Sequence, residues 1–455
     1  MRFAISLREL ILCLLLAGCA HTGNGDADAA ESFVWAETPP AANRVQAPSA
    51  APILSKQPSL DELLRVALRR NPRIQAARER AAAAAEAPAI ERALPDPRFL
   101  LGWYETPIET RVGPQEWSLG VRQAIPFPSK LSARSDLSET LARRAVVAYE
   151  RVVRDVLVEV VGTVHELLYL DDAIEISAGI GGLLERYAAA AGSEVPLNEV
   201  FRAETQRAQL ENDRALLAEL RATEAEHLRA LLDLPGGQPI RAERPPVPPP
   251  VHADFDELVA IAEAHNQELK EAGLDVEAAA LATSLARRDR LPDLTLGYTR
   301  LLTGTLDPSL GNPPGNGRDA QIFHFDVTLP IWGNKNRAKI RRAEALERAA
   351  TRDRADTRLR VRHRLARSWY RVGNTERLVR LYADVLVPRA AAAAETAEEL
   401  QEAGKGTLAG TVETIAVLHN FRLAAARARA DHGQAVADLE GLLGRPLALD
   451  AGGER

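Results

Sequence analysis

Cysteine is nearly missing from this 455-residue sequence: Cys13 and Cys19 are its only two. A disulfide framework or a cysteine-rich metal cluster is thereby excluded. Methionine occurs once, at Met1, so the chain downstream offers no thioether for a soft ion such as Cu(I) or Ag(I). Aromatic residues make up only 5% of the chain. Beyond the N-terminus no run of 18 apolar residues occurs, which excludes a bundle of membrane-spanning helices. Positive charge is not in excess: the net charge of −6 and a pI near 6.0 argue against a nucleic-acid binder. The nine histidines are scattered, without a His-Glu-x-x-His pair or a facial triad. Phosphate-loop and Gly-x-Ser-x-Gly signatures are absent too. The sequence therefore predicts no enzyme, no catalytic residue, no cofactor and no metal site. What is abundant is alanine, in runs such as Ala81 to Ala85 and Ala390 to Ala394, together with Leu, Arg and Glu; that mixture reads as long helices.

The first 19 residues, MRFAISLRELILCLLLAGC, have Arg2 and Arg8 ahead of a short apolar stretch, Leu10 to Leu16. The stretch suits a signal peptide and is too short for a mature spanning helix. Leu16-Ala17-Gly18-Cys19 resembles the bacterial lipobox, which implies cleavage after residue 18 and a diacylglycerol on Cys19. An ordinary secretory peptide with an incidental Cys is the alternative. Ala20, not Asp, follows the Cys, so the inner-membrane retention signal is lacking. Residues 19–58, rich in Ala, Pro, Gly and Asp, read as a loose tether.

The remainder repeats itself. Leu60-Asp61-Glu62-Leu63 and Asn71 answer Phe255-Asp256-Glu257-Leu258 and Asn266 at an offset of 195. Leu94-Pro95-Asp96 answers Leu291-Pro292-Asp293, and Leu101-Gly102 answers Leu296-Gly297. Ile125-Pro126 with Lys130 answers Leu329-Pro330 with Lys335. Leu231-Leu232 and Leu442-Leu443 close the two copies, and the proline-rich stretch Arg244 to Pro250 joins them. The predicted units are 59–250 and 251–449, followed by a tail, 450–455. Each copy reads as helix, two strands, long helix, turn, long helix. Ser59 with Glu62 looks like a capping box, and Asn71-Pro72 breaks the first helix.

Strands are expected at about 97–105, 115–125, 293–302 and 321–330. In Trp117 to Arg122 and Phe323 to Leu329, apolar residues alternate with small or polar ones. Trp117, Leu119, Val121, Phe323, Phe325 and Val327 make one apolar face; Ser118, His324 and Asp326 lie on the other. A soluble sandwich alternates in the same way, but the helical remainder offers such sheets no partner. Lipid outside and water inside suits a transmembrane barrel. Four strands cannot close one, so the barrel must be shared; three chains give 12 strands.

Leu131 to Ala191 holds 61 residues without Pro, about 90 Å of helix, in which Gly179, Gly181 and Gly182 are the places for a kink or an interruption. In the second copy a helix from Ala338 to Ala403 should kink at Pro388. Asp171-Asp172 reads as a solvated face.

These features together resemble the outer-membrane efflux protein family, the TolC-like channels, from Ser59 to about Leu449. The resemblance rests on the Leu-x-x-Leu-x-x-x-Ala-Leu-x-x-Asn-Pro pattern of Leu60 to Pro72, on Leu94 to Pro97, Gln123 to Pro126, Leu291 to Leu294 and Leu329 to Ile331. It implies a mainly α fold with a membrane β part: a homotrimer whose four strands per chain form a 12-stranded β-barrel continued by an α-helical barrel. Implied partners are a periplasmic adaptor (membrane fusion) protein, an inner-membrane RND-type pump and outer-membrane lipid. Adaptor docking falls by resemblance on the hairpin tips: Gly192, Ser193, Pro196 and Leu197, and Gly404, Gly406, Thr407 and Leu408. Glycines that merely end the helices are the other reading of those turns. Glu199 and Glu413 match acidic residues that narrow the tunnel mouth in some members; solvated surface carboxylates are the alternative. Phe127-Pro128-Ser129-Lys130 and Ile331 to Lys335 resemble the heavy-metal cation branch (CzcC- and CusC-type), with drug efflux as the rival. A coiled-coil spacer lipoprotein without a pore is the rival from another class, and it leaves the amphipathic strands and the duplication unexplained.

Overall fold

The computed structural model describes residues 55–190, 197–236, 240–246, 248, 253–307, 309 and 311–447, without the side chains of 183–190, 197–200, 202, 203 and 408. The expected signal peptide, Cys19, nearly all of the expected tether, and Gly192, Ser193 and Pro196 lie outside the described residues.

The first copy comprises α1 (Leu60–Arg70), α2 (Pro72–Arg92), β1 (Arg98–Ile108), β2 (Gln115–Ile125), α3 (Pro128–Ala190) and α4 (Leu197–Leu232). The second comprises α5 (Phe255–His265), α6 (Gln267–Arg288), β3 (Asp293–Thr303), β4 (Ala320–Thr328), α7 (Gly333–Arg380), a π-helical segment (Leu381–Leu386), α8 (Val387–Glu402) and α9 (Leu408–Leu443). No helix among the described residues is long and apolar enough to cross a membrane.

The duplication is physical as well as sequential. Asn71 caps α2 by accepting from the Arg73 and Ile74 amides, and its Nδ2 donates to Leu231 O at 2.8 Å. Asn266 caps α6 by accepting from the Leu269 amide and donates to Leu442 O, also at 2.8 Å. Each copy thus fastens the end of its last helix to the start of its second through one buried Asn. The N-terminal caps of the first helices differ. Asp254 and Glu257 form a full capping box. In the first copy Ser59 accepts from the Glu62 amide, but the Glu62 carboxylate holds the Ser55 amide and hydroxyl instead of closing the box.

Two predicted interruptions come out differently. The long helix α3 runs through Gly179, Gly181 and Gly182 unbroken. A helix-interior glycine costs only about 1 kcal/mol against Ala, and neighbouring helices hold this one in place: Ile180 belongs to a buried cluster with Leu210, Ile415 and Leu418. At Pro388 the ladder widens. Pro388 has no N–H to donate, and its ring crowds the carbonyl one turn back. The chain takes up a π-helical turn just before it, where the Val387 N–H bonds to Tyr382 O, five residues earlier.

The four strands form one antiparallel sheet in the order β1-β2-β3-β4. β1 runs three residues beyond the predicted end, and β4 begins one residue early and stops at Thr328. Register also corrects one correspondence between the copies. Phe99 opposes Val121, and Leu296 opposes Phe325. If Asp96 matches Asp293 and Pro126 matches Pro330, then Phe99 matches Leu296 and Val121 matches Phe325, consistent with both pairings. Leu101 therefore stands where Tyr298 does, two residues from the match that the shared Leu-Gly suggested.

Candidate functional site

Directly opposed residues of an antiparallel sheet share a face, so register assigns the faces. One carries the row Phe99, Val121, Tyr298, Phe323 and, beside it, Leu296 with Phe325 and Leu294 with Val327. Phe99, Phe323 and Phe325 are each about 70% exposed (69%, 69% and 74%). Trp103 and Trp117 meet at 6.2 Å between ring centres, and Tyr298 and Phe323 at 5.3 Å. The six residues expected on the apolar face all lie on it; Leu119 is half-buried there and the other five exposed. Its polar members sit toward the strand ends. Gln123 donates to Pro95 O at the helical end, and Arg300 pairs with Asp319 at 2.6 Å near the β3–β4 loop. An 11-residue strand rises about 36 Å, and at a tilt of 35–45° it covers about 25–30 Å, close to an apolar membrane band.

The other face is mainly small and polar, with Ser118, Gly120 and Arg122 on β2, Thr295, Gly297 and Thr299 on β3, and His324 and Asp326 on β4, and it also carries Leu100, Leu301 and Ile322. His324 Nε2 lies 3.0 Å from Thr299 Oγ1. A Cβ on Gly102 would come within 2.4 Å of Ser118 Oγ, and one on Gly120 within 2.9 Å of Thr299 Oγ1. The glycines thus give the polar side chains of the next strand room to lie flat across the sheet. No group of His, Cys, Asp and Glu among the described residues has the geometry of a metal site.

At the far end of the strands the two hairpin loops are tied together. Gly304 N donates to Pro114 O and Gly317 N to Val112 O, both at 2.7 Å. At the helical end Lys130 Nζ reaches Asp293 Oδ1 at 2.9 Å, and the Phe127 amide donates to the same oxygen at 3.0 Å. Lys130 is buried. This ion pair joins the exit of β2 to the entry of β3, and so one copy to the other.

Of the hairpin tips, only the second is described. Gly404 takes φ +70° beyond the end of α8, where a left-handed cap favours glycine. Lys405 and Gly406 amides both return to Leu400 O, at 2.8 and 2.9 Å. A Cβ on Gly406 would meet Gln401 N at 2.9 Å. Thr407 caps α9 by accepting from the Gly410 amide. These glycines therefore end a helix and tighten a turn, leaving Gly404, Gly406 and Thr407 exposed. Glu413 is exposed in the second turn of α9, while the side chains of Leu197, Glu199 and Leu408 lie outside the described residues.

Sequence reading missed how the helices are joined. Asp171 and Asp172 are not a solvated face: Asp171 pairs with Arg221, and Asp172 with Arg244 and Arg429. Arg427 holds Glu166 at 2.7 Å and Asp431 at 2.6 Å. Arg151 pairs with Glu271 at 2.7 Å, and Arg143 and Arg144 pair with Glu277 and Asp275. Apart from Arg427 and Asp431, which are four residues apart on α9, the partners lie 50 to 261 residues apart, beyond the reach of any local pattern.

Residues 258–445, essentially the second copy, match the family model described as outer membrane efflux protein. No curated protein matches the chain. Among solved structures, the open state of the Neisseria gonorrhoeae MtrE outer membrane channel is similar at 16% identity and a TM-score of 0.71, over 94% of this chain and 99% of that one. The outer membrane protein VceC from Vibrio cholerae is similar at 17% identity and 0.69, over 85% and 96%. CusC, whose structures describe transmembrane channel formation, is similar at 14% and 0.68, over 85% and 92%. The match across the second copy and the fold shared over most of the chain agree: residues 258–445 are similar to the outer membrane efflux protein family, and the chain has the fold of these outer-membrane channels.

Proposed function

We propose that the chain is the outer-membrane channel of an efflux system, a passive homotrimeric conduit from periplasm to exterior. The carrying observation is the four-stranded sheet, apolar and aromatic on one face, mainly small and polar on the other, and unpaired at both outer edges among the described residues. Open edges are not tolerated in lipid, so the strands need those of other copies. Helices of 63 and 48 residues continue from β2 and β4, long enough to line a periplasmic tunnel of about 70–95 Å. Cys19 carries the lipid anchor. The tips around Gly192 and Gly406 dock on a periplasmic adaptor, itself served by an RND-type pump. The cargo is a heavy-metal cation, a reading supported by the resemblance of Phe127 to Lys130 and Ile331 to Lys335. The rival cargo is an organic compound. Cation selection would then lie in the partners, since no ligating set exists among the described residues.

Purified protein added to a planar bilayer should give stepwise conductance; a pore-free spacer gives none, and that result would overturn the reading. Val121→Arg should cost about 2–4 kcal/mol in membrane insertion, with little cost for Ser118→Arg. Cys19→Ser should abolish acyl labelling. Leu408→Glu should leave insertion intact and remove adaptor cross-linking; unchanged cross-linking would place docking elsewhere. Sensitivity of a channel-deleted host to metal salts and to dyes, measured side by side, separates the two cargoes.

A further inference from the structure

We infer that a second copy of this chain docks on β4 and α7 in the register that β2 and β3 adopt within one chain, and that Asp96 of one copy and Lys335 of its neighbour form the ion pair at that boundary. The inference rests on the shared-barrel reading and specifies its seam. Within one chain, the passage from first copy to second is complete. β2 pairs with β3, α3 packs against α6 and α9, and Lys130 is buried against Asp293. The reverse passage, from second copy to first, is missing. β4 and β1 are the sheet's outer edges. α7 packs on α6 and α9 of its own copy, without the flanking helices of a first copy that α3 enjoys.

Asp96 and Lys335 occupy the missing counterparts of the buried pair. Asp96 is the third residue of Leu94-Pro95-Asp96, as Asp293 is of Leu291-Pro292-Asp293; Lys335 is the third residue of α7 as Lys130 is of α3, with one residue more between it and Pro330 than lies between Lys130 and Pro126. Both are exposed, and among the described residues neither has a partner. The acid stands at one edge of the sheet and the base at the other, as a head-to-tail contact between copies requires. Apolar side chains stand exposed on α7 and on the first-copy helices it would meet: Leu346 and Leu359 on α7, Ile90 on α2 and Leu216 on α4.

The internal template also fixes the register. Val121 opposes Tyr298 inside the chain. Carrying β2 onto β4 (330 − 126 = 204) and β3 onto β1 (293 − 96 = 197) places Phe325 opposite Leu101 of the next copy. Val327 then opposes Phe99, and His324 opposes Gly102 on the polar face. Every pair matches face to face, as a barrel with one lipid side demands.

The test uses the full-length chain in outer membranes. Phe325→Cys combined with Leu101→Cys should give covalent oligomers on oxidation. Inside one chain these positions lie across three strand spacings, about 14 Å, too far for a disulfide. Phe325→Cys with Phe99→Cys or with Trp103→Cys, a slip of two residues either way, should cross-link at least about fivefold less. Asp96→Lys alone should reduce the yield of oligomer surviving detergent extraction, and Asp96→Lys with Lys335→Asp should restore it. Preferred cross-linking of a slipped pair, an Asp96→Lys variant indistinguishable from wild type, or a swap that fails to restore would overturn the seam while intact oligomers leave the shared barrel standing. A wild-type chain that is monomeric in the membrane would overturn both.

Discussion

The two long outgoing helices, α3 and α7, hold equivalent places in the repeat and face different surroundings. Val156, Leu157, Val160, Val164 and Leu167 of α3 are buried, because the second copy's α6 and α9 close on it beside its own α2 and α4. The first 28 residues of α7, from Gly333 to Arg360, contain no buried residue. At equivalent places the sequences divide in the same way: Val-Val-Arg-Asp-Val-Leu-Val in α3 (152–158) against Thr-Arg-Leu-Arg-Val-Arg-His in α7 (357–363). Duplication thus conserved the helix, while the neighbours each copy acquired decided which face had to be apolar. The largest effect should expose this. Leu157, 2% exposed, truncated to Ala should lose about 2–5 kcal/mol. Leu359, 68% exposed, truncated to Ala should change the stability of the single chain by no more than about 0.5 kcal/mol. Denaturant titration of detergent-solubilised monomer measures both, and equal losses would break the contrast.

The same two helices explain what was legible in the sequence. The sheet's faces could be read from Trp117 to Arg122 because a strand alternates every two residues whatever its partners. The duplication was legible because Asn71 and Asn266 recur at fixed distances from their Leu residues. The helical pairing was not, since Asp171 finds Arg221 and Glu166 finds Arg427 only after folding. Nor was the passage of α3 through three glycines, which depends on packing from α4 and α9. The candidate site divides likewise. Its apolar face was found residue by residue; the Lys130–Asp293 junction was visible only as two separate motifs.

A second contrast lies between His165 on α3 and the residue at its place on α7. Counting from Lys130 and Lys335, that residue is Tyr370 (165 + 205), which is 67% exposed. His165 is mostly buried, between α9 and the proline-rich linker. Burial first, then His432 and Arg244 nearby, push its pKa down to about 4. His432, held near Thr375 Oγ1 at 3.2 Å, is lowered as well, chiefly by burial. Asp172 and Arg429 also face the pair. The unfolded chain takes up a proton near pH 6.5, the folded chain only near pH 4. Stability is therefore full above pH 6.5 and declines as pH falls toward 4, by at most about 3 kcal/mol for His165. Glu150, Asp438 and Glu440, raised by burial, act in the opposite sense on acidification. The informative quantity is thus a difference between variants. His165→Gln should flatten the decline in thermal midpoint between pH 6.5 and 4, and Tyr370→Gln should leave it as in wild type. An unchanged slope in His165→Gln would remove His165 from the account.

The smallest expected effect tests the equivalence of the copies rather than their difference. Asn71 and Asn266 are both almost fully buried, each caps the second helix of its copy, and each donates to the penultimate residue of the closing helix at 2.8 Å. Replacing either with Ala strands a buried carbonyl, at Leu231 or Leu442, and removes an N-cap. Each loss should cost about 1–3 kcal/mol. Their surroundings argue for similar values: Leu232 and Leu443, beside the two carbonyls, are both wholly buried. The first copy has a second tie, because Arg70 also holds Asp233, through the backbone oxygen at 3.2 Å and the carboxylate at 3.2 Å. That second tie should keep the end of α4 in place when Asn71 is lost, so Asn71→Ala should be the milder of the two by a few tenths of a kcal/mol. Adding Arg70→Ala to Asn71→Ala should bring its denaturant midpoint level with that of Asn266→Ala. If Asn71→Ala proves the more damaging variant, the first copy depends on its Asn in a way that the second does not, and the match between these two junctions is one of geometry alone.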